Sequence, residues 1–266
     1  MNQPLLRFIV TKNYKNLSLE QIVRLKNLNI FIGSNGSGKS NFISCLKFLK
    51  DSLTKIPDES RSVSSFEDAV AQIGGNRILD VSVESPARVR LAYCFYFSQN
   101  SQTNIPARDS GILDLKIFVN RDNARGVNIA EECLYSGDIL HDSTPSTPFY
   151  YYKFHDREFG KGAVSVYDEP GQFSTTHFEA LDNILTNFLG LTAIPRLLED
   201  SQYRPENTPV YRIRRDLIEL VSKWQFYNAN NMDLNLIRMA EPKIGGSDIY
   251  LSLSGDNLAL VLDNLI

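Results

Sequence analysis

Cysteine is scarce in this chain of 266 residues: Cys45, Cys94 and Cys133 stand far apart, with no CxxC pair and no Cys/His spacing. That pattern excludes a disulfide framework and a structural zinc site and suits a reducing compartment, so a cytoplasmic protein is expected. Long apolar runs are missing too. No stretch nears the ~20 residues of a membrane span, and the opening MNQPLLRFIVTKNYKN lacks the basic-then-apolar layout of a signal peptide, so no membrane partner is expected. Charge of one sign is also lacking, since 28 Lys and Arg against 31 Asp and Glu leave a formal net charge of −3. Nothing global then draws the chain to a polyanion, and any contact with DNA or RNA has to come from a local basic face. There is no internal repeat, no low-complexity tract and no heptad stretch long enough for a coiled-coil arm.

What remains, 42% hydrophobic and 22% charged, is the make-up of a soluble globular protein with room for one large core. Leu5 to Val10 and Leu28 to Ile32 are apolar runs of strand length, the second leading straight into a glycine-rich segment. From Ser40 onward, Phe42, Ile43, Leu46, Leu49 and Leu53 recur at helical steps until Pro57 forbids continuation. The middle of the chain changes period. Ile78 to Glu84, Val89 to Phe97, Ile112 to Val119, Phe149 to Phe154 and Ala163 to Tyr167 are β-branched or aromatic runs that predict an antiparallel meander. Between them PDESRSVSS, SQNSQTNIPARDSG and SGDILHDSTPSTP read as surface loops. Helical spacing returns with Phe178, Leu181, Ile184, Leu185 and Phe188, stopped by Gly190, and again with Val210, Ile213, Leu217, Leu220, Val221 and Trp224. Arg212, Arg214 and Arg215, carried by the same segment, read as a solvated helix face in preference to a phosphate or partner contact. The end, Ile249 to Ile266, predicts a strand, a turn at Ser254-Gly255-Asp256-Asn257 and a closing helix.

The glycine-rich segment, Gly33-Ser34-Asn35-Gly36-Ser37-Gly38-Lys39-Ser40, fits G-x-x-x-x-G-K-S/T, and each fixed position has a physical task. Glycines let the backbone curl so that successive N–H groups face inward as an anion nest. Lys39 brings a positive charge to the β- and γ-phosphates of a nucleotide, the Ser40 hydroxyl is placed for Mg²⁺, and the helix that follows adds its N-terminal dipole. ATP with Mg²⁺ is therefore the expected ligand.

Residues 5 to 53, with TKNYKNL and then LKNLNIFIGSNGSGKSNFISCLKFL, resemble the opening of ABC-type AAA-family ATPases of the SMC, RecF and OLD-nuclease group. In that group a first strand ends in an Asn-aromatic-basic turn, here Asn13-Tyr14-Lys15, and a second leads into G-x-N-G-x-G-K-S-N, a fit that includes Asn35 and Asn41. The resemblance implies that Lys15 lies near the nucleotide and that Asn35 faces the γ-phosphate; Tyr14 reads equally as core aromatic or nucleotide contact. It implies an α/β fold, a P-loop NTPase lobe of ABC-ATPase type with an antiparallel β meander and a C-terminal helical part. One incomplete domain over residues 1–266 is expected: a P-loop unit at 1–56, the β region at 75–170 and the helical part at 178–266. Trp224-Gln225-Phe226-Tyr227 and Ser254 to Leu262 resemble segments that precede the catalytic half of such enzymes.

The group also carries a signature helix, a strand ending in Asp-Glu and a switch His, and the sequence shows none of them clearly. Leu253-Ser254-Gly255-Asp256-Asn257 reads either as a signature or as a plain turn, and only nine residues follow Asn257. Asp80 and Asp114 follow apolar residues without a Glu and read as edge-strand acids. His155-Asp156-Arg157-Glu158 reads as a solvated turn, His141 and His177 fall in Ser/Thr-rich loops, and Tyr150-Tyr151-Tyr152 reads as core packing or as a base-stacking run. The expectation is the front part of a longer ATPase that binds ATP better than it hydrolyses it. By the resemblance it forms a homodimer or higher oligomer through its ATPase lobe and drives a nuclease or other effector on DNA or RNA, as in antiphage defence or DNA repair. Two alternatives stand beside it: a non-hydrolysing ATP-binding module, and a small-molecule kinase or GTPase, although the guanine-reading Asn-Lys-x-Asp is absent.

Overall fold

One row of side chains, each fully enclosed, crosses six strands on one face of a sheet. The register pairs Ile9 with Tyr93, Tyr93 with Leu113, Leu113 with Leu134, Leu134 with Tyr152 and Tyr152 with Val164, all at 0% exposure. The computed structural model describes residues 5–54, 64–96, 110–123, 126–136, 148–156, 160–169, 172–198, 208–227, 234–239, 251–252 and 254–263. The strands are β1 (Leu5–Lys12), β2 (Gln21–Arg24), β3 (Ala87–Tyr96), β4 (Ser110–Val119), β5 (Val127–Ser136), β6 (Phe149–Asp156), β7 (Lys161–Glu169) and β8 (Gln172–Leu181). They form a sheet of eight, in the order β2-β1-β3-β4-β5-β6-β7-β8, with every pairing antiparallel. The helices are α1 (Lys39–Thr54), α2 (Ser65–Ile73), α3 (Gly190–Leu197), α4 (Val210–Ser222), α5 (Leu234–Met239) and α6 (Leu258–Asp263). The chain divides into two compact units, Met1–Lys223 and Trp224–Ile266.

Within the first unit α1 lies over the enclosed row, where the Tyr93 hydroxyl donates to the Cys45 carbonyl at 2.8 Å. Its buried side chains are Phe42, Cys45, Phe48, Leu49, Asp51, Ser52 and Leu53, while Ile43 is exposed and Leu46 half-buried. The apolar face is thus rotated from the one that Ile43 and Leu46 predict. Phe48 meets Phe66 of α2 edge to face at 6.0 Å, and α4 packs on α1 through a stripe that buries Val210, Ile213, Leu217 and Val221, as its spacing predicts. Helix α2 begins with a capping box: the Glu67 N–H donates to Ser64 Oγ at 3.1 Å and the Ser64 N–H to Glu67 Oε2 at 3.0 Å. The other face of the sheet carries a small apolar cluster of Phe8, Val10, Ala92, Cys94 and Ile112. Beside it lies an ion-paired lattice of Arg90 with Asp114 and Glu20, and of Glu131 with Arg88 and Lys116.

The antiparallel meander matches the sequence expectation at β3, β4, β6 and β7, whereas β2, β5 and β8 were not foreseen. Two expectations are corrected. Ile78 to Glu84 is not a strand: a 3-10 turn ends at Ile78, and Asp80 Oδ1 then accepts from the Ser82 N–H and hydroxyl at 2.8 and 2.7 Å. Arg121 donates to the carbonyls of Leu79, Asp80 and Val83 and so takes up acceptors that a ladder would have used. Phe178 to Phe188 is not a helix either. Residues up to Leu181 pair with β7, which leaves Phe178 55% exposed, and α3 starts at the Gly190 expected to stop it. The expected loops at 57–63, 98–109 and 137–147, with His141, lie outside the described residues, as does Ile249.

Helix α3 starts without a capping side chain of its own, because Leu189 stands at its N-cap. Glu132 on β5 supplies the acceptor from below: its carboxylate takes the Gly190 N–H at 2.6 Å, the Leu191 N–H at 3.2 Å and the Tyr152 hydroxyl at 2.6 Å. The side chain is 1% exposed, and its oxygens are satisfied by these hydrogen bonds at a helix N-terminus. Glu132→Ala leaves those donors enclosed and is expected to cost about 2–4 kcal/mol in urea unfolding, with Glu132→Gln losing about half as much. Wild-type stability in Glu132→Ala would show that the carboxylate is not what anchors α3.

Candidate functional site

The site is built where β1 ends. Asn13 and Lys15 adopt left-handed conformations, φ 57° and 51°, a costly choice for a lysine, and they curl the chain into a tight turn. Its hydrogen bonds run from the Asn13 N–H to Ser18 O at 3.1 Å and from the Leu17 N–H to Tyr14 O at 2.8 Å. The stretch after α2 braces it from outside, with the Lys15 N–H donating to Ile78 O at 2.7 Å and the Asp80 N–H to Asn13 O at 3.0 Å. Tyr14 is fully enclosed, and its hydroxyl shares a 2.7 Å hydrogen bond with Ser44 Oγ on α1. Lys15 Nζ donates to the same oxygen at 3.2 Å. Burial raises the Tyr14 hydroxyl far above its ordinary value, lowers the Lys15 ammonium below its own, and pushes the Cys45 thiol up to about 12. Tyr14 therefore packs in the core and contacts α1 rather than standing free for a ligand.

Against this turn sits the segment Gly33 to Ser40. Gly36 and Gly38 take φ of 82° and 94°, and α1 begins at Lys39. Lys39 Nζ reaches back over the loop to Gly33 O at 2.6 Å, Ser34 O at 2.7 Å and Ser37 Oγ at 3.2 Å, and the Ser37 N–H donates to Ser34 O at 3.2 Å. The loop thus gathers its cation and an inward N–H on one side, beside a helix start whose first N–H groups have no intrahelical partner. A Cβ on Gly36 would meet nothing within 4 Å, and Gly36 is exposed. Ser34, Asn35, Ser37 and Ser40 are exposed along the loop's rim. These features fit a polyphosphate, and the Ser40 hydroxyl is free to reach a cation that accompanies it. Among the described residues no group of three His, Cys, Asp or Glu could hold a metal by itself.

Of the residues singled out in the sequence, the structure brings Gly33 to Ser40, Asn41 and Lys15 together. Ser44, which holds Lys15, lies one turn beyond Ser40 on the same face of α1. Sequence reasoning missed Asn16. Its amide donates to Gly36 O, and its Oδ1 accepts from Asn41 Nδ2 at 2.8 Å, so that it bridges loop and helix. Leu17 was missed as well and packs against Gly38.

One expectation at the site is overturned. Leu28 to Ile32 is not a strand among the described residues: pairing with β1 stops at Arg24 and Leu25, and Leu28, Ile30 and Ile32 are 78%, 75% and 92% exposed. Phe31, 40% exposed, sets its ring 4.8 Å from that of Phe42. An apolar composition specifies a strand only where a partner lies alongside to take its N–H and C=O groups.

Other candidates lie elsewhere. Asp114 pairs with Arg90 on the far face, and Asp80 belongs to the turn already described, so neither is an edge-strand acid awaiting a role. His177 is on β8 rather than in a loop and meets Asp168 at 2.6 Å. Of His155 to Glu158, His155 and Asp156 end β6, and Arg157 and Glu158 lie outside the described residues. Tyr151 and Tyr152 are buried, while the Tyr150 ring meets that of Tyr135 at a 43° tilt with centroids 5.4 Å apart. Arg214 is half-buried and caps Leu191 O at 2.8 Å; Arg215 alone of its cluster is exposed, paired with Asp216 at 3.2 Å. Ser254 to Asn257 form a turn, closed by the Ser252 N–H on Asn257 Oδ1 at 2.7 Å, that opens α6. No helix among the described residues is long and apolar enough to cross a membrane.

The family model of an AAA ATPase domain matches residues 5–188. A comparison with curated proteins finds no match.

The two left-handed glycines separate strain from crowding. Gly36→Ala adds a Cβ in open space and is expected to cost about 1 kcal/mol of stability. Gly38→Ala adds the same strain and also brings Cβ within 2.6 Å of Leu17 Cδ2, so about 2–3 kcal/mol is expected. Urea unfolding in which Gly36→Ala is the more damaged would contradict this loop geometry. Burial both shields the Cys45 thiol and disfavours its thiolate, so alkylation of Cys45 by iodoacetamide at pH 8 should await unfolding.

Proposed function

Since the chain belongs to the AAA ATPase domain family, with a match that spans all eight strands and the phosphate loop, we propose that Gly33 to Ser40 holds ATP with Mg²⁺ in an ATP-driven switch. The observation that carries this is the pairing of two left-handed glycines with a lysine that folds over the loop at the start of a 16-residue helix. In that reading Lys39 releases the Gly33 and Ser34 carbonyls and neutralises the β- and γ-phosphate oxygens, while the Ser40 hydroxyl holds Mg²⁺. Asn35 on the rim faces the terminal phosphate, and Lys15, tethered at Ser44, adds a second cation beside it. Bound nucleotide supplies a phosphoanhydride bond whose hydrolysis makes the switch irreversible.

The resemblance to the SMC, RecF and OLD-nuclease group supports the wider reading, in which two such lobes close on nucleotide and control an effector that acts on nucleic acid, in antiphage defence or DNA repair. An AAA ATPase domain is an ATP-binding P-loop ATPase. The dimer, the effector and the biological setting belong to the proposal.

Calorimetric titration with Mg-ATP should show saturable binding that Lys39→Ala weakens by at least about a hundredfold, the scale of a lost charge-assisted contact with phosphate. Equal binding by the variant would sink the reading. Sedimentation with and without Mg-ATP tests closure of two copies, which should appear only with nucleotide. Binding without turnover would instead assign the non-hydrolysing module, and a preference for GTP would assign a GTPase.

A further inference from the structure

We propose that Asn16 is a positioning residue for the nucleotide phosphates: its single amide clamps the middle of the phosphate loop to the first turn of α1 and sets which way the loop's central N–H points. The inference rests on the reading of Gly33 to Ser40 as a phosphate site. Asn16 Nδ2 donates to Gly36 O, and Asn16 Oδ1 accepts from Asn41 Nδ2 at 2.8 Å. A trans peptide is planar, so its C=O and the following N–H point in opposite directions. Holding the Gly36 carbonyl outward therefore turns the Ser37 N–H inward, where it is found donating to Ser34 O at 3.2 Å, on the side of the loop that Lys39 Nζ occupies.

The loop needs such a device. Gly36, at φ 82°, is exposed and has the backbone freedom of a glycine, so glycine alone leaves many conformations of which few present N–H groups together. Affinity for a ligand that requires one conformation falls with the fraction of molecules that have it. Asn16 is well founded for the task. It follows Lys15, whose left-handed φ of 51° and hydrogen bond to Ile78 O fix its backbone, and it precedes Leu17, which packs on Gly38. Tyr14, two residues earlier, ties the same turn to Ser44 of α1. The amide thus joins two points of the loop and helix from a turn that is itself anchored in the core.

The test compares wild type, Asn16→Ala, Asn16→Asp and Lys39→Ala as full chains. Asn16→Asp keeps the size and the acceptor for Asn41 but loses the donor to Gly36. Titration with Mg-ATP should show both Asn16 variants binding about three- to tenfold more weakly, the worth of an exposed hydrogen bond, with Asn16→Asp at least as weak as Asn16→Ala. Melting midpoints without nucleotide should stay at the wild-type value, and the ¹⁵N resonance of the Ser37 amide should shift in both variants, because a hydrogen bond on the preceding carbonyl draws electron density from that nitrogen. Wild-type affinity in Asn16→Asp, an unmoved Ser37 resonance, or a fall in the nucleotide-free melting midpoint matching the loss of affinity would overturn the proposal. If Lys39→Ala also binds as wild type, the phosphate-site reading fails and carries this one with it; if Lys39→Ala fails to bind while the Asn16 variants bind normally, only the role of Asn16 is wrong.

Discussion

A phenol cannot be enclosed without a partner for its hydroxyl, and Tyr14 meets that demand by reaching Ser44. That requirement ties three pieces of the first unit together. The turn after β1 has to approach α1 closely enough for the contact, α1 has to present Ser44 towards the turn, and the stretch after α2 has to close the far side, as it does with Ile78 O and the Asp80 N–H. The phosphate loop lies between two of these pieces. Its shape is therefore set less by its own glycines than by the core beneath it, and a buried aromatic in a turn acts as the reference point for an exposed loop.

The sheet supplies the base on which this stands. The row from Ile9 to Val164 runs across the strands on the face that meets α1, where Tyr93 donates to the Cys45 carbonyl. Each member faces its neighbour across the ladder, so register and packing enforce one another: a slip of one residue in any strand would send its member to the ion-paired face. Farther along the same side, Glu132 plays for α3 the part that Tyr93 plays for α1, a polar group rising from the sheet to fix a helix.

Much of this could be read in advance where the signal was local. The meander showed in β3, β4, β6 and β7 because their runs are long and β-branched, and the phosphate loop showed because its chemistry dictates residue types at fixed spacing. Elements were misread where the deciding force lay elsewhere in the chain. Phe178, Leu181 and Ile184 have helical spacing by coincidence; pairing with β7 makes the segment a strand and leaves Phe178 outside. Leu28 to Ile32 has strand composition but no neighbour to pair with among the described residues. Ile78 to Glu84 lost its ladder to one arginine 38 to 42 residues away. The helix α2 was legible, since Ser64 and Glu67 spell a capping box, but a serine-rich stretch masked it. Asn16 had no signal of its own, because a polar residue in a turn is unremarkable until its two partners are known.

Lys39 gives the loop a further property. In the structure its ammonium already holds two carbonyls and a hydroxyl at hydrogen-bonding distance. Entry of an anion is thus an exchange of ligands around one cation, in which internal dipoles leave as phosphate oxygens arrive. The heat released on binding reports the difference between two sets of contacts and understates the strength of either. An exchange of this kind also discriminates by number of contacts: a monatomic anion such as chloride offers one ligand in place of three, whereas a polyphosphate chain offers several oxygens at once.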